Sequence, residues 1–203
     1  MNTRIVFMGS PDFALPTLQA LYEHYQVVGV VTQPDRPAGR GRQPQASPVK
    51  QAAQALGLEV YQPVSLRKPE VLAQLSAWAP DLIVVAAFGQ ILPKAVLDLP
   101  PKGCLNVHAS LLPRWRGASP IQAAIAAGDD HSGVTIMLMD EGLDTGPILS
   151  QRSVPLPLGI TGSQLSKQLA ELGARTLIEI LPSYLDGMVA PLPQNENEAT
   201  YAP

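Results

Sequence analysis

Asp81-Leu82-Ile83-Val84-Val85-Ala86-Ala87 carries one polar side chain in seven residues, and that one stands at the front. An apolar run of this length, rich in branched side chains, is the pattern of a strand buried on both faces, which belongs in a parallel sheet. Working outward, Arg4-Ile5-Val6-Phe7-Met8 repeats the pattern and is closed by Gly9. A helical spacing of Phe13, Leu15, Leu18 and Leu21 follows from about Asp12 to Tyr25, and Val27 to Val31 reads as the next strand. Gln33 to Pro44, with three prolines and two glycines, reads as a loop. Ser47-Pro48 pairs an N-cap with proline at the first helical position and predicts a helix to Leu56. Leu58 to Tyr61 predicts a short strand and Lys68 to Trp78 a helix. Downstream, Pro93 to Leu97 predicts a short helix, Cys104 to His108 a strand and Ile121 to Ala127 a helix. Gly133 to Asp140 and Ile148 to Val154 predict two more strands, and Ser163 to Leu181 a closing helix. Strand and helix alternate through the first half, so the expected class is α/β, with right-handed βαβ units and a mostly parallel sheet carrying helices on both faces.

Composition narrows the function classes. Of 203 residues, 46% are hydrophobic and 15% charged, which excludes a disordered chain and a coiled coil. The longest apolar run, Leu82 to Phe88, falls far short of the ~20 residues that span a bilayer, so no membrane partner is expected. The N-terminal apolar stretch is too short for a signal peptide. Cys104 is the sole cysteine, which excludes an internal disulfide and a cysteine-based zinc cluster and fits a reducing cytoplasm. A net charge of −3 attracts no nucleic acid globally, so such a partner needs a local patch. Asp35-Arg36-Pro37-Ala38-Gly39-Arg40-Gly41-Arg42 offers one: Gln33 to Lys50 holds one acidic and four basic residues. Solubility explains such a loop as well as a phosphate contact does.

The first strand-turn-helix junction, Gly9-Ser10-Pro11-Asp12-Phe13, has one glycine and an acid where a dinucleotide's pyrophosphate would sit. There is no Walker sequence and no Gly-x-Ser-x-Gly elbow. Attention moves to Cys104-Leu105-Asn106-Val107-His108-Ala109-Ser110. On a strand, Asn106 and His108 point to one face, at the carboxyl end where open α/β sheets bind ligands. Two readings stand for the pair: both satisfy turn backbone groups, or both face a ligand. His24 reads as a surface residue at a helix end, and His131 as part of a solvated turn or a metal ligand. Ser110-Leu111-Leu112-Pro113-Arg114-Trp115-Arg116-Gly117 is either a packed loop or one offering backbone groups and apolar surface to a flat ligand. Asp140-Glu141-Gly142-Leu143-Asp144-Thr145-Gly146 reads as a hairpin loop with solvated charges, or as a loop that folds over His108 and sets a carboxylate beside its imidazolium.

Together with Phe7 to Ala14, Thr32 to Gly41 and Ala87-Phe88-Gly89-Gln90-Ile91-Leu92-Pro93, these stretches resemble the methionyl-tRNA formyltransferases. Specifically, they resemble the N-terminal catalytic domain of that family. The asparagine-histidine strand, the Ser-Leu-Leu-Pro loop and the later aspartate are those of folate-dependent formyltransferases in general; the arginine loop points to the tRNA-specific branch. The loop after Arg42 departs from the family pattern, with Gln43-Pro44-Gln45-Ala46 where relatives often carry lysines.

The resemblance implies a Rossmann-like formyltransferase fold over residues 1–190. Residues 191–203 would link to a C-terminal β-barrel domain. It implies formyl transfer from 10-formyltetrahydrofolate, a co-substrate, to the α-amine of methionyl initiator tRNA, by a cytoplasmic monomer that needs no metal. Asn106, His108 and Asp144 would be catalytic: Asn106 as oxyanion donor, His108 on the oxyanion or the proton path, Asp144 orienting His108 and holding its pKa up. Ser110, Leu111, Leu112 and Pro113, with Gln90, Ile91, Leu92 and Asp140, would hold the folate. Arg36, Arg40, Arg42, Arg114 and Arg116 would meet the tRNA. A formyltransferase for a small amine, and a folate-binding or hydrolysing module, are the competing expectations.

Overall fold

The computed structural model describes residues 3–38 and 43–202. They form two compact units, one running up to Gly103 and the other from Cys104 onward.

In the first unit, β1 (Arg4–Gly9) is buried from Ile5 to Gly9, as its apolar run requires. A 3₁₀ turn over Asp12–Ala14 leads into α1 (Leu15–His24), so the helical pattern expected from Asp12 starts one turn later, with Pro16 in its first turn. β2 (Gln26–Val31) follows. β3 (Arg36–Ala38) and β4 (Gln43–Gln45) pair antiparallel, where the sequence predicts loop. Pro37 lies opposite Pro44. Two facing prolines, each lacking an N–H, fit a ladder at a non-hydrogen-bonded pair, which composition alone does not reveal. α2 (Pro48–Ala55) begins as expected: Ser47 accepts from the Lys50 N–H at 3.0 Å, with proline in the first turn. β5 (Val60–Tyr61), α3 (Pro69–Ala77), β6 (Leu82–Ala86) and α4 (Lys94–Leu97) complete the unit. Its sheet runs β6-β1-β2-β5 with every pair parallel, as the alternating pattern predicts. Every residue of β6 is buried. At Gly29 a Cβ would stand 2.6 Å from the Trp78 ring, so glycine lets the indole lie directly on the strand.

In the second unit, β7 (Cys104–His108) pairs antiparallel with β9 (His131–Leu138), which pairs antiparallel with β10 (Ile148–Pro155). Between β7 and β9 come the two-residue β8 (Arg116–Gly117) and α5 (Pro120–Ala127), which Gly128 ends in the left-handed conformation. α6 (Gly162–Leu185) packs on β7, β9 and β10. It opens with a capping box in which Thr161 and Gln164 satisfy each other's backbone N–H groups. It runs past the expected end at Leu181, with Pro182 inside the last turn. Residues 191–202, read as a linker, lie on this unit. Leu192 exchanges backbone hydrogen bonds with Ile148 at 2.7 and 2.8 Å, and β11 (Tyr201–Ala202) pairs parallel with β8. No helix among the described residues is long and apolar enough to cross a membrane.

Candidate active site

β7 carries the two candidates that the strand period places on one face. Asn106 lies opposite Met137 and His108 opposite Thr135. Val107, on the other face, meets α6 at Gly173, where a Cβ would stand 2.5 Å from a Val107 methyl. The strand is pinned from behind, on the face opposite Asn106 and His108.

His108 is 6% exposed, and its Nε2 lies 3.0 Å from the Trp115 carbonyl. A carbonyl only accepts, so Nε2 carries the hydrogen and Nδ1 is the ring nitrogen left for proton transfer. Nδ1 faces the Asp144 carboxylate at 3.6 Å, a contact longer than a hydrogen bond. Asp144 itself is seated by two donors: the Gly117 N–H at 2.9 Å to Oδ2 and the Asn106 amide at 3.4 Å to Oδ1. Its backbone is left-handed, with φ of 53°. The Asn106 amide has two hydrogens, and among the described residues Asp144 is its one protein acceptor, so the second hydrogen is free to meet a ligand.

Trp115 is fixed on three sides. Its N–H donates to Thr200 Oγ1 at 2.9 Å, its indole N–H to Asp129 at 2.7 Å, and the Arg114 guanidinium lies 4.3 Å from its ring centroid. Arg114 in turn forms a two-point pair with Asp129, at 2.9 and 2.5 Å. That guanidinium holds the Asp129 carboxyl below its ordinary value, partly opposed by burial, with the Trp115 indole adding to the lowering.

Asn106, His108 and Asp144 therefore come together as the sequence reading expects. The Ser110 to Pro113 loop is organised rather than loose: Ser110 and Leu112 are buried, and the Leu112–Pro113 bond is cis. Thr135 Oγ1 accepts from the Leu112 N–H at 3.1 Å and donates to the Ser110 carbonyl at 2.6 Å, while Gln151 donates to the Leu112 carbonyl at 2.8 Å. Leu111 and Pro113 are half-buried. Asp140 is exposed and ties its own loop, accepting from the Gly142 N–H and the Thr145 hydroxyl. In the first unit, Gln90 is half-buried, Leu92 buried and Ile91 exposed.

The arginines divide. Arg36 is exposed and donates to Gln33 at 3.2 Å; Arg40 and Arg42 lie outside the described residues. Arg114 is exposed beside Asp129. Arg116, expected on tRNA, is fully buried: Gln194 and Glu196 each accept two of its hydrogen bonds at 2.7–3.1 Å, so its charge is spent inside the chain. A sequence shows that an arginine is present, not that an acid eighty residues away covers it. Trp115, Gly117, Thr135, Gln151 and Gln194 acquire structural roles at the site that no spacing signalled, because each acts through backbone groups. His24 is exposed at the end of α1, as expected, and His131 is exposed at the start of β9. Among the described residues no group of three or more His, Cys, Asp or Glu side chains could hold a metal ion.

A polar constellation of amide, imidazole and carboxylate on an α/β scaffold is equipped for group transfer to a nucleophile. Residues 3–181 match the formyl transferase family (Formyl transferase), and the chain belongs to that family. It is 54% identical over 200 residues to a methionyl-tRNA formyltransferase of Marinobacter nauticus, covering 98% of this chain and 64% of that protein. It is 55% identical over 203 residues to one of Halorhodospira halophila, covering 100% and 65%. The chain thus spans a little under two thirds of these relatives' length. Among solved structures it superposes on a glycinamide ribonucleotide transformylase of Symbiobacterium toebii with a TM-score of 0.76 at 23% identity, covering 94% of each chain. It superposes on an N-formyltransferase of Helicobacter canadensis, in complex with folinic acid and dTDP-3-aminofucose, with a TM-score of 0.70 at 17% identity, covering 100% and 71%. These likenesses bear out the expected formyltransferase fold.

Proposed function

We propose that the chain transfers a formyl group from 10-formyltetrahydrofolate to the α-amine of methionyl initiator tRNA, in the cytoplasm and as a monomer. The observation that carries the reading is the free second hydrogen of the Asn106 amide, set beside an imidazole whose Nδ1 faces a seated carboxylate. Identity of 54–55% to methionyl-tRNA formyltransferases over nearly the whole chain supports this acceptor over a small amine.

An α-amine titrates near pH 7.7–8.0, so a useful fraction is already neutral at physiological pH. Attack on the formyl carbon moves negative charge onto the formyl oxygen, and the Asn106 amide donates to that oxygen. Losing one such donor costs about 2.7–4 kcal/mol. His108 Nδ1 takes the proton released by the amine, and Asp144 stabilises the resulting imidazolium across 3.6 Å. The same proton then goes to the departing folate nitrogen. Ser110 to Pro113 present fixed backbone groups and apolar surface to the pterin, and Gln90, Ile91, Leu92 and Asp140 complete the folate contacts. Arg36, Arg40, Arg42 and Arg114 supply positive charge to the acceptor stem, and residues 191–203 lead towards a further, β-barrel domain. Formyl transfer measured with methionyl initiator tRNA and glycinamide ribonucleotide in parallel tests the reading. Transfer to the small amine alone would overturn it.

A further inference from the structure

Gln194 lies beyond the residues that match the family model, in a segment whose composition reads as a linker, yet every polar group of its side chain is used. Its carbonyl oxygen accepts from Arg116 Nε at 3.1 Å and Nη2 at 2.8 Å. Its amide nitrogen donates to the Asp144 carbonyl at 2.8 Å and the Gly146 carbonyl at 2.7 Å. One side offers only donors and the other only acceptors, so a primary amide of this length fits in one orientation; a carboxylate fits the arginine and repels both carbonyls. The carbonyls belong to two residues that need holding. Asp144 sits in the left-handed region, which a non-glycine residue keeps only when its surroundings fix it. Gly146 packs so closely on the Leu138 carbonyl that a Cβ there would overlap it.

We propose, on the reading given above, that Gln194 is a positioning residue for Asp144. Its amide sets the backbone of the 139–147 loop, and through it the seat of the Asp144 carboxylate between Asn106 and His108. Through Gln194 the 191–202 segment then reaches the active-site framework. Glu196 supplies the contrast. It accepts from Arg116 Nη1 and Nη2, at 2.8 and 2.7 Å, and hydrogen-bonds neither Asp144 nor Gly146.

Two variants separate positioning from mere stability. Gln194→Glu keeps the acceptor for Arg116 and removes the donors to the loop. Glu196→Gln weakens the ion pair and leaves those donors in place. For Gln194→Glu the expected results are a fall in kcat of about 10-fold to 10²-fold, KM for 10-formyltetrahydrofolate unchanged within about twofold, and displaced ¹⁵N signals from the Asn106 amide and the His108 ring. For Glu196→Gln the expected result is a lower Tm with kcat and those signals in place. Unmoved signals in Gln194→Glu, or the same kcat loss and displaced signals in Glu196→Gln, overturn the proposal. If Gln194→Glu does not fold, Gln194→Ala is read by the same signals, with the same outcome decisive. A parent chain that transfers no formyl group would sink the functional reading, while the signals still decide whether Gln194 seats Asp144.

Discussion

At the scale of single residues, His108 owes its orientation to a backbone carbonyl, because its Nε2 donates to Trp115 at 3.0 Å. Replacing His108 by Ala removes the group proposed to carry the proton while β7 keeps its ladder, so turnover should fall at least about 10²-fold with the chain still folded. Activity within tenfold of the parent would contradict that role. Asn106→Ala removes the proposed oxyanion donor, and its expected cost is about 10²–10³ in kcat. Asp129 gives a pH prediction. Arg114 holds its carboxyl below the ordinary value of 3.8, so its contribution to stability is complete above that value and is lost as pH falls through the lowered one. Thermal melting followed from pH 5 to about pH 2 should therefore show a smaller loss of Tm in Asp129→Asn than in the parent; equal losses would contradict the pairing. Asn106 and His108 were legible as a pair because strand period and residue type coincide there, whereas Asp144 came only from the family resemblance. The Trp115 carbonyl was not, since a backbone acceptor leaves no mark on the sequence.

Among the elements, α6 and β7 meet where Gly173 faces Val107. Gly173→Ala gains about 1 kcal/mol of helix propensity but forces a Cβ to 2.5 Å from a stiff, β-branched side chain. Overpacking of this kind costs about 1–3 kcal/mol, so the net change should be destabilising. Gly162→Ala, in the first turn of the same helix with open space around it, should raise Tm instead. Melting both variants checks the sign of each. The start of α2 was well written in the sequence, since Ser47-Pro48 is local chemistry, whereas the start of α1 was displaced by a 3₁₀ turn. The β3–β4 pairing was hidden because two prolines mark a loop until they are known to face each other.

For the whole chain, the parallel order of the first unit follows from alternating strand and helix, and the antiparallel hairpin of the second from its charged loop. What the sequence concealed is long-range. Arg116 and Glu196 are eighty residues apart, and their pairing turns an expected tRNA contact into an internal strut for the segment that also carries Gln194. Under the proposed function, tRNA binding then rests more heavily on the arginine loop. Neutralising Arg40 and Arg42 should weaken tRNA use and flatten its salt dependence, lowering the log–log slope by up to about 0.9 for each phosphate left without its cation. An unchanged slope would remove that loop from the interface. The central claim is met most directly by one assay: formyl transfer from 10-formyltetrahydrofolate to methionyl initiator tRNA, with glycinamide ribonucleotide in parallel and His108→Ala as control. The account predicts transfer to the tRNA that disappears in His108→Ala. Transfer confined to the small amine, or tRNA formylation that survives loss of His108, would contradict it.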